Sequence, residues 1–94
     1  MVTGMVAGHE PASFYRWFEG IVAEALAVPV DFHRALPPGQ IRDELQRFVP
    51  KVRAVGSASD GVCAALEAAG ADDVILITGS FYLVGEVGRV LAGL

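Results

Sequence analysis

Short β-branched runs alternate along the chain with segments in which apolar residues recur at helical spacing. The four runs predict strands at residues 2–6, 25–30, 52–55 and 74–78. The stripe that follows each run predicts a helix, because apolar residues three or four positions apart share one helical face. These stripes are Phe14, Trp17, Phe18 and Ile21; then Ile41, Leu45 and Phe48; then Val62 and Leu66; and finally Leu83, Val84, Val87, Val90, Leu91 and Leu94.

This alternation predicts the fold class. Strands that alternate with helices form a parallel sheet with helices on both faces, so we expect a three-layer α/β/α domain of about four strands. The run at 74–78 is apolar on both sides of its pleat, which is typical of a buried central strand. Ser59 is a suitable N-cap for the third helix. The length of 94 residues fits one domain, spanning residues 1–94.

The apolar content is high for a small domain, at 53% of residues with a mean hydropathy of +0.48. No apolar run approaches the roughly 20 residues of a membrane span, so we expect no membrane partner. Four strands that begin directly after Met1 indicate that a neighbouring element is missing. We therefore interpret the chain as a fragment of a larger protein, with an uncovered sheet that favours self-association. A complete minimal domain is the alternative.

Charge and cysteine content exclude other classes of function. The net charge is −4, from 7 Lys and Arg against 11 Asp and Glu, and the basic residues at 42–53 are mixed with Asp43 and Glu44. A nucleic-acid partner is excluded, because such binding requires a basic patch. Cys63 is the only cysteine and no secretory signal is visible, so we expect a cytoplasmic protein without disulfides.

Ligands of open α/β sheets bind beyond the carboxyl ends of the strands, which directs attention to the loops after the predicted strands. These loops are residues 7–10, 31–36, 56–60 and 78–82. In the last loop Gly79 permits a sharp turn, Thr78 and Ser80 supply hydroxyls, and unpaired amides begin the next helix. This combination predicts a site for a carboxylate or phosphate. The alternative is that Ser80 only caps its helix.

Further polar residues lie in the first two loops. Arg34 can pair bidentately with a carboxylate, although an ordinary surface arginine is the alternative. His9, Glu10 and His33 are loop candidates, but two histidines in separate loops do not have the spacing of a metal site. The chain contains no phosphate loop, no dinucleotide-binding glycine motif and no nucleophile elbow. We therefore expect no metal site and no catalytic residue.

Three stretches resemble a known family. VTGMVAG, HRALPPGQIRDEL and AADDVILITGSFYLVGEVGRVL occur in the order found at the end of the C-terminal domain of folylpolyglutamate synthase/dihydrofolate synthase, in the Mur ligase superfamily. The most specific stretch, DDVILITGSFYLVGEV, resembles the strand, (T/F)GS step and aromatic helix start that close the family's sequences. Where the family usually has Asp-Lys-Asp, this chain has Gly8, His9 and Glu10, and His33 replaces a common proline.

The resemblance implies a truncated Rossmann-like Mur ligase C-terminal domain that lacks its first strand–helix unit. It also implies that the parent protein is an ATP- and magnesium-dependent ligase, in which glutamate attacks a folate acyl phosphate. The implied partners are the N-terminal ATPase domain, glutamate and folate, and the fragment alone is expected to be inactive. Arg34 is the implied carboxylate clamp, within a glutamate site that comprises Arg34, Thr78, Gly79, Ser80 and Tyr82.

A second hypothesis is a free-standing α/β module that binds a ligand or a protein and has no catalytic activity. The DNA upstream of Met1 distinguishes the two hypotheses. An open frame that encodes a phosphate loop supports the ligase, whereas a stop codon and a ribosome-binding site support the module.

Overall fold

A computed structural model describes residues 1–94 and contains four strands and four helices. In chain order the elements are β1 (Val2–Thr3), α1 (Pro11–Tyr15), β2 (Glu24–Ala27), α2 (Pro38–Leu45), β3 (Lys51–Ala54), α3 (Ala58–Ala68), β4 (Ile77–Thr78) and α4 (Phe81–Ala92). A short 3-10 turn over Arg16–Phe18 continues α1. None of the helices combines the length and the apolar character needed to cross a membrane.

The strands form one parallel sheet in the order β3-β2-β1-β4. Val2 of β1 is opposite Leu26 on one side and Ile77 on the other, so β1 is a central strand. The predicted parallel α/β fold is therefore confirmed. The prediction that residues 74–78 form a buried central strand is wrong, because β4 lies at the sheet edge. Val74, which precedes β4, is 90% exposed.

The core consists of two clusters, one on each face of the sheet, which confirms the three-layer arrangement. Along β2, Ala25 and Ala27 point to one face, and Leu26 points to the other, as the pleat of a strand requires. One cluster lies beneath α1 and α2 and includes Met5, Tyr15, Ala25, Ala27, Ile41, Leu45 and Val49. The other lies beneath α3 and α4 and includes Val2, Leu26, Val28, Val30, Ala58, Val62, Ala65, Leu83 and Val87.

The first predicted helical stripe is only partly buried. Phe14 and Phe18 pack against the core beneath α1 and α2, but Trp17 is 67% exposed and Ile21 is 78% exposed. The reason is that regular α-helix ends at Tyr15 and the 3-10 turn that follows has a shorter period. Trp17 and Ile21 therefore do not lie on the buried face that α-helical spacing predicted for them.

The third helix begins earlier than predicted. Its N-cap is Ser57, whose Oγ accepts a hydrogen bond from the backbone N–H of Asp60 at 3.0 Å, so the assignment of Ser59 was wrong. With this start, Val62 faces the core as predicted, but Leu66 is 48% exposed. Cys63 is exposed on the same helix.

Candidate functional site

The carboxyl ends of β2, β1 and β4 lie side by side, so the loops after these strands form one continuous edge. The loop after β1 lies in the middle, between the loops that carry Arg34 and Ser80. The loop at 56–60 follows β3, at the far side of the sheet. All four loops predicted from the sequence therefore lie at the same edge of the sheet, and the loop at 56–60 is the farthest from Ser80.

The loops after β1 and β2 are joined by backbone pairing. Val6 and Ala35 form an isolated antiparallel bridge. The N–H of Ala7 donates to the carbonyl of Arg34 at 2.6 Å, and the N–H of Leu36 donates to the carbonyl of Met5 at 2.8 Å. The segment around Arg34 therefore runs alongside the chain that leaves the central strand.

The Arg34 guanidinium lies over the loop after β1. Its Nη2 is 3.6 Å from the position that a Cβ on Gly8 would occupy. The side chain is exposed, and it takes part in neither of the two ion pairs of the chain, Arg42–Asp43 and Arg47–Glu44. Its N–H donors therefore remain free for an anionic ligand.

The turn before α4 positions a second set of donors. Ser80 is the N-cap of α4, and its Oγ accepts a hydrogen bond from the N–H of Tyr82 at 3.2 Å. The Ser80 hydroxyl thus performs the capping role, while its O–H hydrogen remains a donor. The other first-turn N–H groups have no acceptor within the helix, and the helix dipole favours an anion beside them.

Gly79 makes this turn possible. Its φ of +116° lies in the region that favours glycine. A Cβ on Gly79 would also overlap the carbonyl oxygen of Gly4 and come within 2.9 Å of the Thr3 Oγ1. The Thr78-Gly79-Ser80 step therefore allows the chain to pass closely over the end of the central strand.

Stacked aromatic rings connect Arg34's loop to the start of α4. The rings of Phe32 and Tyr82 lie 4.4 Å apart between centroids, with an angle of 11° between their planes. The His33 ring lies 4.5 Å from that of Phe32 on a tilted plane. This contact places the loops that carry Arg34 and Ser80 on the same part of the sheet edge. The only sequence signal for Phe32 is its position in the loop that follows the second predicted strand.

The remaining loop candidates are exposed and do not form a cluster. His9 and Glu10 precede α1, and Glu10 occupies its N-cap position without a side-chain hydrogen bond. His33 is exposed beside Phe32. No group of three or more His, Cys, Asp or Glu side chains lies close enough together to hold a metal ion.

A mostly apolar groove lies elsewhere on the molecule. It has a volume of about 540 Å³ and is lined mostly by apolar residues, among them Val22, Ala65 and Ile75. Met1, Glu24 and Leu76 also line it, which places the groove at the amino ends of the strands. The groove is therefore separate from the polar loop edge that carries Arg34 and Ser80.

Comparisons with known proteins identify two similar proteins, although no family model matches the chain. The dihydrofolate synthase/folylpolyglutamate synthase of Haemophilus influenzae is 29% identical over 92 residues, which cover 96% of this chain and 21% of that protein. The structure of E. coli FolC in complex with DHPP and ADP matches with a TM-score of 0.85 at 24% identity, over 98% of this chain and 22% of that one.

The chain thus spans about a fifth of the length of each of these proteins. The match to the FolC structure shows that the two share a fold. The match to the Haemophilus protein extends over nearly all of the chain. The resemblance to folylpolyglutamate synthase/dihydrofolate synthase that the motifs indicated is therefore confirmed.

Proposed function

We propose that this chain is the part of an ATP-dependent folate γ-glutamyl ligase that positions the incoming glutamate. Its similarity to a dihydrofolate synthase/folylpolyglutamate synthase supports the reaction class. The position of the Arg34 guanidinium carries the proposed role. It is exposed, it has no carboxylate partner, and it lies over the loop of the central strand, on the edge that also holds Ser80.

In the proposed reaction the glutamate amine attacks the carbonyl carbon of a folate acyl phosphate. A C–N bond forms, the C–O bond to the phosphate breaks, and the amine loses a proton. Arg34 binds a glutamate carboxylate bidentately, and the start of α4 at Ser80 provides further N–H donors. This chain contributes by orienting the glutamate. Holding the amine near the reacting carbon converts a bimolecular step into an effectively unimolecular one.

Other parts of the parent protein bind the nucleotide in this proposal. The chain has no phosphate loop and no cluster of metal-binding side chains, so its residues do not fit ATP or magnesium. FolC was solved with ADP bound, which supports nucleotide binding by the parent. We therefore assign ATP and magnesium to an N-terminal ATPase domain, and we expect no turnover from the 94-residue chain alone.

A further strand–helix unit of the parent completes the domain in this proposal. The β4 strand pairs only with β1, so its other edge has no partner strand. Just before and just after β4 in the chain, Val74 is 90% exposed and Phe81 is 96% exposed, which is unusual for large apolar side chains. An additional unit of the longer protein would cover these residues and satisfy the strand edge.

Replacement of Arg34 in the full-length protein tests the proposed function. Loss of a charge-assisted contact costs about 1.5–3 kcal/mol, so Arg34→Ala should raise the KM for glutamate by about 10- to 100-fold. The KM for ATP should not change. Arg47→Ala is the matched control, because Arg47 is also exposed but pairs with Glu44 at 3.0 Å.

An unchanged KM for glutamate in Arg34→Ala would show that Arg34 does not bind glutamate. Arg34→Lys refines the result, because lysine keeps the charge but loses the bidentate geometry. We expect this variant to lie between the wild-type protein and Arg34→Ala. A full-length protein without any ATP-dependent glutamate addition to folate would instead favour the free-standing module.

A further inference from the structure

The contact between Phe32 and Tyr82 joins the two parts of the proposed glutamate site. The two rings are nearly parallel and 4.4 Å apart. Phe32 packs against the core cluster beneath α3 and α4, whereas Tyr82 is 52% exposed and forms the outer side of the stack. Aromatic pairs in an offset-stacked arrangement attract each other beyond the effect of burial alone. The stack is therefore a specific connection between the loop after β2 and the first turn of α4.

Phe32 holds one end of the turn that carries Arg34. The N–H of Ala35 donates to the carbonyl of Phe32 at 3.0 Å, which closes a turn with Arg34 inside it. The other end is held by the bond from Ala7 to the carbonyl of Arg34. Loss of the Phe32 ring would remove the side-chain contact that fixes this end of the turn, while the backbone bonds of Ala7 and Leu36 to the neighbouring loop would remain. The direction of the Arg34 side chain therefore depends on where Phe32 is held.

Tyr82 is fixed in turn to the cap of α4. Its N–H donates to the Ser80 Oγ, so the ring that stacks on Phe32 belongs to the same turn as the cap hydroxyl. The connected series is Arg34, Phe32, Tyr82 and Ser80. It links a guanidinium to a helix N-terminus through backbone turns at each end and one ring contact between them.

We propose that Phe32 is a positioning residue, which holds the Arg34 guanidinium at a fixed separation from the N-terminus of α4. This inference rests on the proposed function, in which Arg34 and the start of α4 bind glutamate. Phe32 acts through Arg34 and does not itself contact the amino acid. Hydrogen-bond donors that are already held in place lose less conformational freedom when the ligand binds.

The test uses the full-length protein with Phe32→Ala. The kcat/KM for glutamate should fall by about 2- to 10-fold, the range typical of an aromatic pair, while the KM for ATP stays unchanged. Phe32→Tyr keeps the ring and should restore the wild-type value. Trp17→Ala is the control, because Trp17 is a 67% exposed aromatic residue outside the loop edge, and it should have no effect.

The combination with Arg34→Ala separates positioning from a general structural effect. If Phe32 acts through Arg34, adding Phe32→Ala to Arg34→Ala should change kcat/KM for glutamate no further. Additive losses would overturn the inference.

If Arg34→Ala raises the KM for glutamate but Phe32→Ala does not, only the positioning role fails. If Arg34→Ala has no effect, the proposed clamp itself fails. Should Phe32→Ala not fold, Phe32→Leu tests the same point with more of the core packing retained.

Discussion

Gly79 lies directly against the carbonyl oxygen of Gly4, so that the turn between β4 and α4 touches the end of the central strand. The two glycines are far apart in the sequence, and each lacks the side chain that would keep the backbones apart. Gly4 is itself enclosed, because a Cβ there would come within 2.6 Å of Val30 and 2.8 Å of the carbonyl oxygen of Val28. The polar loop edge depends on this contact between backbones.

Gly79→Ala should destabilise the protein strongly. The substitution adds a methyl group at a φ of +116° and forces it against the carbonyl of Gly4. Backbone strain and overpacking each cost about 1–3 kcal/mol, so a loss of at least about 2 kcal/mol in the free energy of unfolding is expected. Urea denaturation of the two proteins measures the difference.

Gly88→Ala is the matched control for that substitution. A Cβ on Gly88 meets nothing within 4 Å, and the residue lies inside α4. Alanine is favoured over glycine in a helix, so Gly88→Ala should stabilise the protein by up to about 1 kcal/mol. Similar losses for the two variants would show that the close approach of Gly79 to Gly4 is absent in solution.

Tyr15→Phe should expose the cost of an unpaired buried hydroxyl. The hydroxyl oxygens of Thr3 and Tyr15 are 2.7 Å apart, and both residues are fully buried. Removing one partner leaves the Thr3 hydroxyl without a hydrogen bond, at a cost of about 1–3 kcal/mol. The double variant Thr3→Val with Tyr15→Phe removes both hydroxyls and should recover part of that loss. Thermal unfolding of the wild-type protein and of these two variants tests the prediction.

Tyr15 should also make the stability fall at high pH. Burial raises the pKa of Tyr15 to about 12 from the ordinary value of 10.0, despite the opposing hydrogen bond from Thr3. The unfolded state therefore loses this proton first, and stability should fall as the pH rises from about 10 to about 12. One pKa unit is worth about 1.4 kcal/mol, so the full loss is about 3 kcal/mol. Tyr15→Phe should lack this component, and an identical pH dependence in both proteins would contradict it.

Two nearby serines should differ in their effect on α3. The Oγ of Ser57 accepts the hydrogen bond from the Asp60 N–H, whereas Ser59 is exposed within the first turn. Ser57→Ala should cost about 1 kcal/mol, as expected for loss of an N-cap. Ser59→Ala should change the free energy of unfolding by less than about 0.5 kcal/mol. A larger loss of unfolding free energy for Ser59→Ala than for Ser57→Ala in chemical denaturation would instead identify Ser59 as the N-cap.

The 94-residue chain should associate with itself through the uncovered edge at β4. Exposed apolar side chains beside an unpaired strand favour pairing with another chain. Val74→Lys places a charge there, and it should shift sedimentation at tens of micromolar towards monomer. Gln46→Lys adds the same charge at an exposed position elsewhere and should not. A clean monomer for the unsubstituted chain would contradict the prediction.

Local patterns in the sequence were sufficient to predict the fold class. The strand–break–helix alternation identified all four strand–helix units, and the rule for open α/β sheets selected the loops with Arg34 and Ser80. Ile41, Leu45, Leu83 and Val87 were expected on buried helical faces and are buried, whereas the last predicted stripe was too wide. Its members Val84, Leu91 and Leu94 are exposed. These features depend on residues close together in the chain, which periodicity can detect.

Features that depend on distant residues were not predictable in the same way. A strand that is apolar on both sides looks central, but whether another strand covers it depends on pairing across the whole sheet, and β4 has one neighbour only. The contact between Phe32 and Tyr82 likewise joins separate strand–helix units. The 3-10 turn after Tyr15 changes the helical period without an evident sequence signal.

The division of the core into two clusters has a consequence for how the molecule can vary. Val6, Phe32 and Ala35 all pack on the cluster beneath α3 and α4, as does Leu83 near the start of α4. The turn of Arg34 and the start of α4 thus rest mainly on this layer, while Met5 and Leu36 connect the same loop edge to the layer beneath α1 and α2. Repacking beneath α1 and α2 should mainly alter the amount of folded protein in a cell. Repacking beneath α4 should also shift the Arg34 turn relative to the start of α4.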